Sequence, residues 1–197
     1  MRTPVYGLTG GIAAGKSTVL EQFVAFGIDT LDTDQLARDV IAQGTLGASQ
    51  LETAIGSEYF RDGCLNRALL RSDIYESATL KKKVEAIIHP LVRNAVNQWL
   101  NQQSRSPYRI VCSPLLIETN QHEILDGVIV VDAPESEQLR RGTGRDAKSK
   151  DTIQYILDAQ ISRQARLSYA TFVIDNSGGL DSLTQQIQNL HEKLSHD

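Results

Sequence analysis

The fold of this chain is decided by the stretch Gly10-Gly11-Ile12-Ala13-Ala14-Gly15-Lys16-Ser17. It satisfies the pattern G-x-x-x-x-G-K-[ST], in which glycines let the backbone turn so tightly that successive N–H groups point at phosphate oxygens. Lys16 is placed to neutralise the β- and γ-phosphates of a nucleoside triphosphate, and Ser17 to bind Mg²⁺. A helix that begins near Gly15 adds the attraction of its positive end for anions. The motif therefore predicts a phosphate-binding loop, or P-loop.

Strand patterns precede and follow this loop along the chain. Short apolar runs predict buried strands, and their near-continuous apolar character is typical of a parallel sheet covered on both faces. Because helical patterns alternate with them, we expect a three-layer α/β P-loop fold with a five-stranded parallel sheet. The predicted strands are Val5–Thr9, Ile28–Leu31, Ile110–Leu116, Val128–Asp132 and Phe172–Asp175.

The helix after the loop is predicted to bury one face and to end at Gly27. Its apolar residues are Val19, Leu20, Phe23 and Val24. Further helices are predicted to open at Pro134 and to run over Asp181–Leu194.

The 197 residues are predicted to form a single domain with two excursions from its core. Residues 35–106 show helical periodicity and almost no strand pattern, which predicts a helical insertion between the second and third strands. Within it, the His89-Pro90 pair is predicted to end one helix and to start the next. Residues 140–166 form the second excursion. The core is then predicted to comprise residues 1–34, 107–139 and 167–197.

Two carboxylates follow the second predicted strand directly, in Asp32-Thr33-Asp34. In a parallel sheet this strand end lies at the same edge as the P-loop, where ligands bind. Carboxylates there suit Mg²⁺, or a general base that accepts the proton of an acceptor hydroxyl in phosphoryl transfer. Two structural alternatives stay open: either aspartate as a helix cap, or Asp34 paired with Arg38.

The second excursion is strongly basic. Residues 140–166 contain seven basic and three acidic side chains, in a chain whose formal net charge is -4. Arginine recognises phosphate through two parallel hydrogen bonds, so a basic segment that closes over the P-loop would stabilise transferring charge and exclude water. The pattern predicts a helical lid, and a solvated helix face is the open alternative.

The bulk composition argues against several classes of partner. A negative net charge and 6% aromatic residues are atypical of nucleic-acid binding, and no apolar run approaches the roughly 20 residues of a membrane helix. Cys64 and Cys112 are too far apart for a C-x-x-C pattern, so neither a disulfide framework nor a zinc site is indicated. We expect a cytoplasmic enzyme with a small-molecule substrate, no nucleic-acid partner and no membrane partner; the sequence does not determine its oligomeric state.

Further residues, in their order and spacing, resemble the dephospho-CoA kinase family over nearly the whole chain. The residues that carry the resemblance are Leu8-Thr9-Gly10-Gly11-Ile12, Gly15-Lys16-Ser17-Thr18, Asp32-Thr33-Asp34, Ala37-Arg38, His89-Pro90, Pro114-Leu115-Leu116, Glu118, Arg141, Arg145-Asp146, Ala159-Gln160, Arg163, Arg166 and Val173-Ile174-Asp175-Asn176.

This resemblance implies a core similar to nucleoside monophosphate kinases, a CoA-binding region that matches the helical insertion, and a lid that matches the basic segment. It implies a phosphotransferase with an alcohol group as acceptor: ATP, with Mg²⁺, phosphorylates the ribose 3′-hydroxyl of dephospho-CoA. The products are coenzyme A and ADP, in the final step of CoA biosynthesis.

The resemblance also implies roles for single residues. Asp34 would be the base, and Asp32 would organise Mg²⁺ or its waters together with Ser17. Arg141 and Arg145 would face phosphate when the lid closes, and together with Lys16 and Asp34 they would be the catalytic residues. The ATP-binding residues would be Gly10, Gly11, Ile12, Ala13, Ala14, Gly15, Lys16, Ser17, Thr18 and Asn176, with Asn176 near the adenine. The acceptor side would be lined by Asp34, His89, Pro90, Leu115, Leu116 and Glu118, although for His89 a helix-breaking turn with Pro90 is an equal alternative.

Two departures from the family pattern affect the loop and the lid. Ala13-Ala14 stands where relatives commonly have Gly-Ser, which is tolerable if Ala13 needs no positive φ. Gly142-Thr143-Gly144 replaces a bulkier helix segment and predicts a mobile lid.

Three other functions fit parts of the sequence. Another P-loop kinase for a small molecule is the nearest, but the Asp32-Thr33-Asp34 placement and the insertion argue against it. A regulatory NTPase is favoured by the D-x-x-G pattern at Asp175–Gly178, yet no N-K-x-D guanine signature occurs. A nucleic-acid-binding ATPase would need a basic surface with aromatic platforms.

Overall fold

The computed structural model describes residues 2–145 and 150–196, with the backbone alone for Arg145, Lys150 and Asp151. Contacts between residues divide the chain into two compact units, Met1–Asp32 with Gln103–Asp197, and Thr33–Gln102. The predicted insertion, residues 35–106, overlaps the second unit over residues 35–102. The division into core, insertion and lid stays a prediction, and residues 146–149 of the predicted lid lie outside the described residues.

Helices and strands alternate along most of the described chain. The strands are β1 (Val5–Gly10), β2 (Asp29–Asp32), β3 (Phe60–Arg61), β4 (Cys64–Leu65), β5 (Arg109–Cys112), β6 (Gly127–Asp132) and β7 (Phe172–Asp175). The helices are α1 (Lys16–Ala25), α2 (Thr33–Asp39), α3 (Leu46–Ile55), α4 (Arg67–Glu76), α5 (Ala78–Asn101), α6 (Glu135–Arg145), α7 (Lys150–Ala159), α8 (Arg163–Ser168) and α9 (Leu180–His196).

The first unit is built on a parallel sheet. In the described residues this sheet has five strands in the order β2-β5-β1-β6-β7, so β1 is central. Leu8 of β1 pairs with Cys112 of β5 and with Ile129 of β6. The α/β fold and the five-stranded parallel sheet are confirmed. Because β1 runs straight into the loop at its carboxyl end, the sheet fixes where the loop begins.

The third predicted strand, Ile110–Leu116, was wrong in its length. It begins at Arg109 and ends at Cys112, and residues 114–120 form turns. Pro114 has no N–H to donate to a neighbouring strand, which ends the ladder although the sequence stays apolar.

The main core lies between the sheet, α1 and α9. Val19, Leu20 and Phe23 of α1 are buried against it. Val24 is 53% exposed, so its predicted place on the buried face was wrong. At 100° per residue Val24 lies at the margin of the stripe centred on the other three, which places it beyond the contact with the sheet.

The second unit is helical around a core of its own. Its buried residues are Ile41, Leu51, Ile55, Tyr59, Leu70 and Val84. The turn signal at Arg61-Asp62-Gly63 forms a short hairpin between β3 and β4, with positive φ at Asp62 (52°) and Gly63 (77°).

Helix α5 contradicts the predicted break at His89-Pro90. It is continuous over 24 residues, with Pro90 inside it. A proline inside a helix costs about 3 kcal/mol through a lost hydrogen bond and a clash. Packing of α5 against α2, α3 and α4, with Val84 and Val96 buried on either side of the proline, outweighs that cost.

Candidate nucleotide-binding site

The P-loop joins the end of β1 to the start of α1. Gly15 caps α1 in the left-handed region, with φ of 102°. A Cβ atom at Gly15 would also collide with the side-chain amide of Asn176. Both observations require glycine at this position, so the tight turn expected from the motif is present.

Ala13 has a strained backbone. Its φ is 53°, in the left-handed region that L-residues with a Cβ adopt at a cost of roughly 1–2 kcal/mol. The sequence-based condition that Ala13 needs no positive φ therefore fails. A glycine at this position would carry no such strain, whereas this chain must hold an alanine there by other contacts.

Lys16 lies over the loop. Its Nζ donates hydrogen bonds to the carbonyl oxygens of Gly10 and Gly11, each at 2.9 Å. The ammonium group is thus held beside the backbone N–H groups of the same loop, at the positive end of α1. This arrangement concentrates positive potential where a triphosphate would bind.

Asn176 follows β7 and is buried against the loop. Its Nδ2 donates to the carbonyl of Ala14 at 2.8 Å, and its own backbone oxygen accepts from Nη2 of Arg141 at 2.9 Å. Its backbone N–H donates to the carbonyl of Asp132 at 2.7 Å. Asn176 therefore stabilises the conformation of the loop through hydrogen bonds. Its contact with adenine stays a prediction.

Of the two predicted phosphate-facing arginines, the side chain of Arg141 is described and that of Arg145 lies outside the described atoms. Arg141 is anchored at Asn176 and lies 3.5 Å from a carboxylate oxygen of Glu137. These contacts hold one arginine of α6 at the edge of the loop.

Two arginines of α8 make hydrogen bonds near this edge of the sheet, Arg163 half-exposed and Arg166 buried. Nε and Nη2 of Arg163 donate to the two carboxylate oxygens of Asp132 at 2.8 and 2.6 Å. These hydrogen bonds, and then the negative charge of Asp132, raise the pKa of Arg163. Burial lowers the pKa of Arg166, against the opposing effect of the charges of Glu118 and Asp132. Arg166 is buried, so for this residue the alternative of a solvated helix face is wrong, whereas the side chain of Arg163 is 46% exposed.

Sequence reasoning missed two glutamines that reach the loop. Oε1 of Gln160 accepts a hydrogen bond from the backbone N–H of Ile12 at 3.0 Å. Gln138 is buried, its Nε2 donates to the carbonyl of Ala133 at 2.8 Å, and its Oε1 would collide with any Cβ at Gly11. An uncharged amide gives no local signal of such a contact, although Gln160 is among the residues that carry the family resemblance.

The predicted metal ligands lie in the first unit. Ser17 is exposed in the first turn of α1, and Asp32 is half-buried at the end of β2. Strand β5 separates β2 from β1, which sets the two strand axes about 9.5 Å apart. Within the described residues no group of three or more His, Cys, Asp or Glu side chains could hold a metal ion. A sparse oxygen donor set suits Mg²⁺, which keeps several waters and binds substrate phosphates.

The predicted acceptor-side residues are distributed over both units. Asp34 is exposed in the first turn of α2, and His89 and Pro90 are exposed on α5. In the first unit, Leu115 is 47% exposed, whereas Leu116 is fully buried beside Val128 and Val130. Glu118 accepts a hydrogen bond from the N–H of Ile161 at 3.3 Å.

Comparison with known proteins identifies the family. The sequence profile described as dephospho-CoA kinase matches residues 4–182. The chain belongs to the dephospho-CoA kinase family. A dephospho-CoA kinase from Hydrogenovibrio crunogenus is 41% identical over 188 residues, which cover 94% of this chain and 95% of that protein. Another from Acinetobacter baylyi is 41% identical over 194 residues, covering 98% and 99%.

A solved structure shares the fold of this chain over nearly its whole length. A crystal structure of a Thermus thermophilus protein superposes with a TM-score of 0.83 at 28% identity, covering 98% of this chain and 99% of that one. The family match spans the P-loop, the second unit and α6 to α8, so it extends over every residue to which a role was assigned from the sequence. In the described part of the chain, no helix is both long enough and apolar enough to span a bilayer.

Proposed function

We propose that this chain transfers the γ-phosphoryl group of ATP to the ribose 3′-hydroxyl of dephospho-CoA, giving coenzyme A and ADP, the final step of CoA biosynthesis. The observation that carries the proposal is the P-loop of a dephospho-CoA kinase family member, with Lys16 held at the carbonyls of Gly10 and Gly11. The fold alone would allow other acceptors, and family membership selects this one.

Binding of ATP uses groups that are already in place. Backbone N–H groups from Gly15 to Thr18 and the positive end of α1 would receive the phosphates, whereas the N–H of Ala14 donates to the carbonyl of Gly11. The Lys16 ammonium group exchanges two neutral carbonyl partners for charged phosphate oxygens, which form stronger hydrogen bonds. Arg141, already fixed at Asn176, adds positive charge near the loop.

The oxygen donors of this site fit Mg²⁺. Ser17 and Asp32 would hold the ion or its waters, Ser17 through a hydroxyl in the first turn of α1 and Asp32 through a carboxylate at the end of β2. When bound, Mg²⁺ would neutralise negative charge of the triphosphate during phosphoryl transfer.

Asp34 is the proposed general base. It follows Asp32 by two residues, which is at most about 7 Å along an extended chain. Its carboxylate would accept the proton of the 3′-hydroxyl as the oxygen attacks the γ-phosphorus. The proposed acceptor-side residues are His89, Pro90, Leu115, Leu116 and Glu118. Leu115 is exposed and Leu116 is buried.

We further propose that the reaction takes place in the cytoplasm. Neither cysteine forms a disulfide; Cys64 is exposed and Cys112 is buried. Cysteines that stay reduced are typical of a reducing compartment.

An acceptor panel tests the function. Purified protein with Mg-ATP is given dephospho-CoA, AMP or shikimate in turn, and ADP formation is followed. We expect kcat/KM for dephospho-CoA to exceed that for the other two by several orders of magnitude. Preference for AMP or shikimate, or ADP formation that needs no acceptor, would overturn the proposal.

A further inference from the structure

The hydrogen bond from Ile12 to Gln160 connects the P-loop to a distant part of the chain. Gln160 directly follows α7, and its Oε1 accepts from the Ile12 N–H at 3.0 Å. Phosphate loops direct their backbone N–H groups at the ligand, so a loop N–H that is bonded to a side chain is committed to structure.

The backbone next to Gln160 is held by hydrogen bonds to other residues of the first unit. The N–H of Ile161 donates to Oε1 of Glu118 at 3.3 Å. The carbonyl oxygen of Ile161 accepts from Nη2 of the buried Arg166 at 3.0 Å. Gln160 therefore extends from an anchored backbone, and its contact with the loop restrains the loop more than it restrains Gln160.

Two side-chain hydrogen bonds enclose the strained residue Ala13. The N–H of the residue before it, Ile12, is held by Gln160, and the carbonyl of the residue after it, Ala14, is held by Nδ2 of Asn176 at 2.8 Å. A non-glycine residue at a φ of 53° persists where surrounding contacts over-determine its conformation. These two bonds act together with a backbone hydrogen bond across Ala13, in which the N–H of Ala14 donates to the carbonyl of Gly11 at 3.2 Å.

We propose that Gln160 is a positioning residue for nucleotide binding, which holds Ala13 in its left-handed conformation so that the following N–H groups point at the triphosphate. This rests on the proposed function for the identity of the nucleotide. Without the bond, Ala13 relaxes toward negative φ, and the loop must be reordered each time ATP binds.

The test is the affinity for Mg-ATP, measured by titration calorimetry without acceptor. Gln160→Met keeps the length of the side chain but removes the acceptor oxygen, and it should weaken binding about 5-fold, the change expected for one hydrogen bond of ordinary strength. Gln154→Met is the matched control, because Gln154 lies on α7 and its Nε2 donates to Asp158, with no bond to the loop. The control should bind Mg-ATP as the unchanged protein does. Equal affinities of the two variants would overturn the proposal.

A double variant tests the role of Ala13. Glycine at this position needs no external support for positive φ, so Gln160→Met should lose less than about 2-fold in affinity when combined with Ala13→Gly. The same 5-fold loss in both backgrounds would show that Gln160 does not act through Ala13, and would overturn the proposal in this form.

A second measurement guards against a general loss of structure. Hydrogen exchange at the Ile12 amide should be slow in the unchanged protein and in Gln160→Glu, which keeps an acceptor oxygen, and fast in Gln160→Met. Fast exchange in the unchanged protein would refute the proposal without any variant. Because affinity is measured without acceptor, failure of the dephospho-CoA assignment would leave these results unchanged.

Discussion

Replacing Ala13 with glycine should make the folded chain more stable. Removing the strain of a φ of 53° raises the free energy of unfolding by roughly 1–2 kcal/mol. The greater backbone freedom of glycine in the unfolded chain lowers it by roughly 0.4–1 kcal/mol. The net gain is about 0.5–1 kcal/mol. For a protein of this size that corresponds to a rise in Tm of about 2 °C, measurable by scanning calorimetry without ligand.

Ala14 provides a control within the same loop. It is fully buried and its φ is not positive. Ala14→Gly removes a buried methyl group, worth about 0.8 kcal/mol, and adds roughly 0.5–1 kcal/mol of backbone entropy to the unfolded state. Its Tm should fall by about 3–5 °C. If Ala13→Gly lowers Tm as Ala14→Gly does, Ala13 is not strained and Gln160 has no strained residue to hold.

Three further substitutions test other parts of the chain. Asp34→Asn should lower turnover by about 10²–10⁴-fold and leave Mg-ATP affinity nearly intact, and near-normal turnover would make Asp34 a cap or an ion-pair partner. Lys16→Ala should weaken Mg-ATP binding by about 10–100-fold in calorimetry, since a charge-assisted contact is lost, and unchanged affinity would refute the P-loop assignment. Pro90→Ala should raise the unfolding free energy by about 1 kcal/mol or more in urea, because α5 regains a hydrogen bond; a loss of stability would contradict the cost assigned to this proline.

Local patterns in the sequence were sufficient to predict most of the strands and the P-loop of the first unit. Continuous apolar runs located the sheet strands, and the glycines and lysine of the loop specify a backbone turn and a charge within eight residues. Strand β7 was predicted with the bounds that the structure has, Phe172–Asp175. Such features depend on neighbours in sequence, which is why they are readable there.

Features that depend on tertiary packing could not be read in this way. Pro90 is a strong local signal for a helix break, and packing of α5 overrides it. Helix α1 buries Phe23 and exposes Val24, a distinction set by where the sheet touches it.

Hydrogen bonds in the site between residues far apart in sequence could not be predicted either. Asp132 and Arg163 are 31 residues apart, and Ile12 and Gln160 are 148 residues apart. No periodicity relates such pairs, so the sequence assigned Arg163 to a basic lid without its partner. The positive φ of Ala13 also could not be predicted from the sequence, because the motif allows any residue at that position.

The stoichiometry of the reaction shows whether this chain phosphorylates dephospho-CoA. Protein, Mg-ATP and dephospho-CoA are incubated together, and ADP and coenzyme A are quantified in the same samples by chromatography with mass detection. We predict that the two products form in a ratio of one to one, with the new phosphate on the ribose 3′-oxygen. ADP that accumulates with free phosphate and without coenzyme A would contradict the assignment of this chain as a dephospho-CoA kinase.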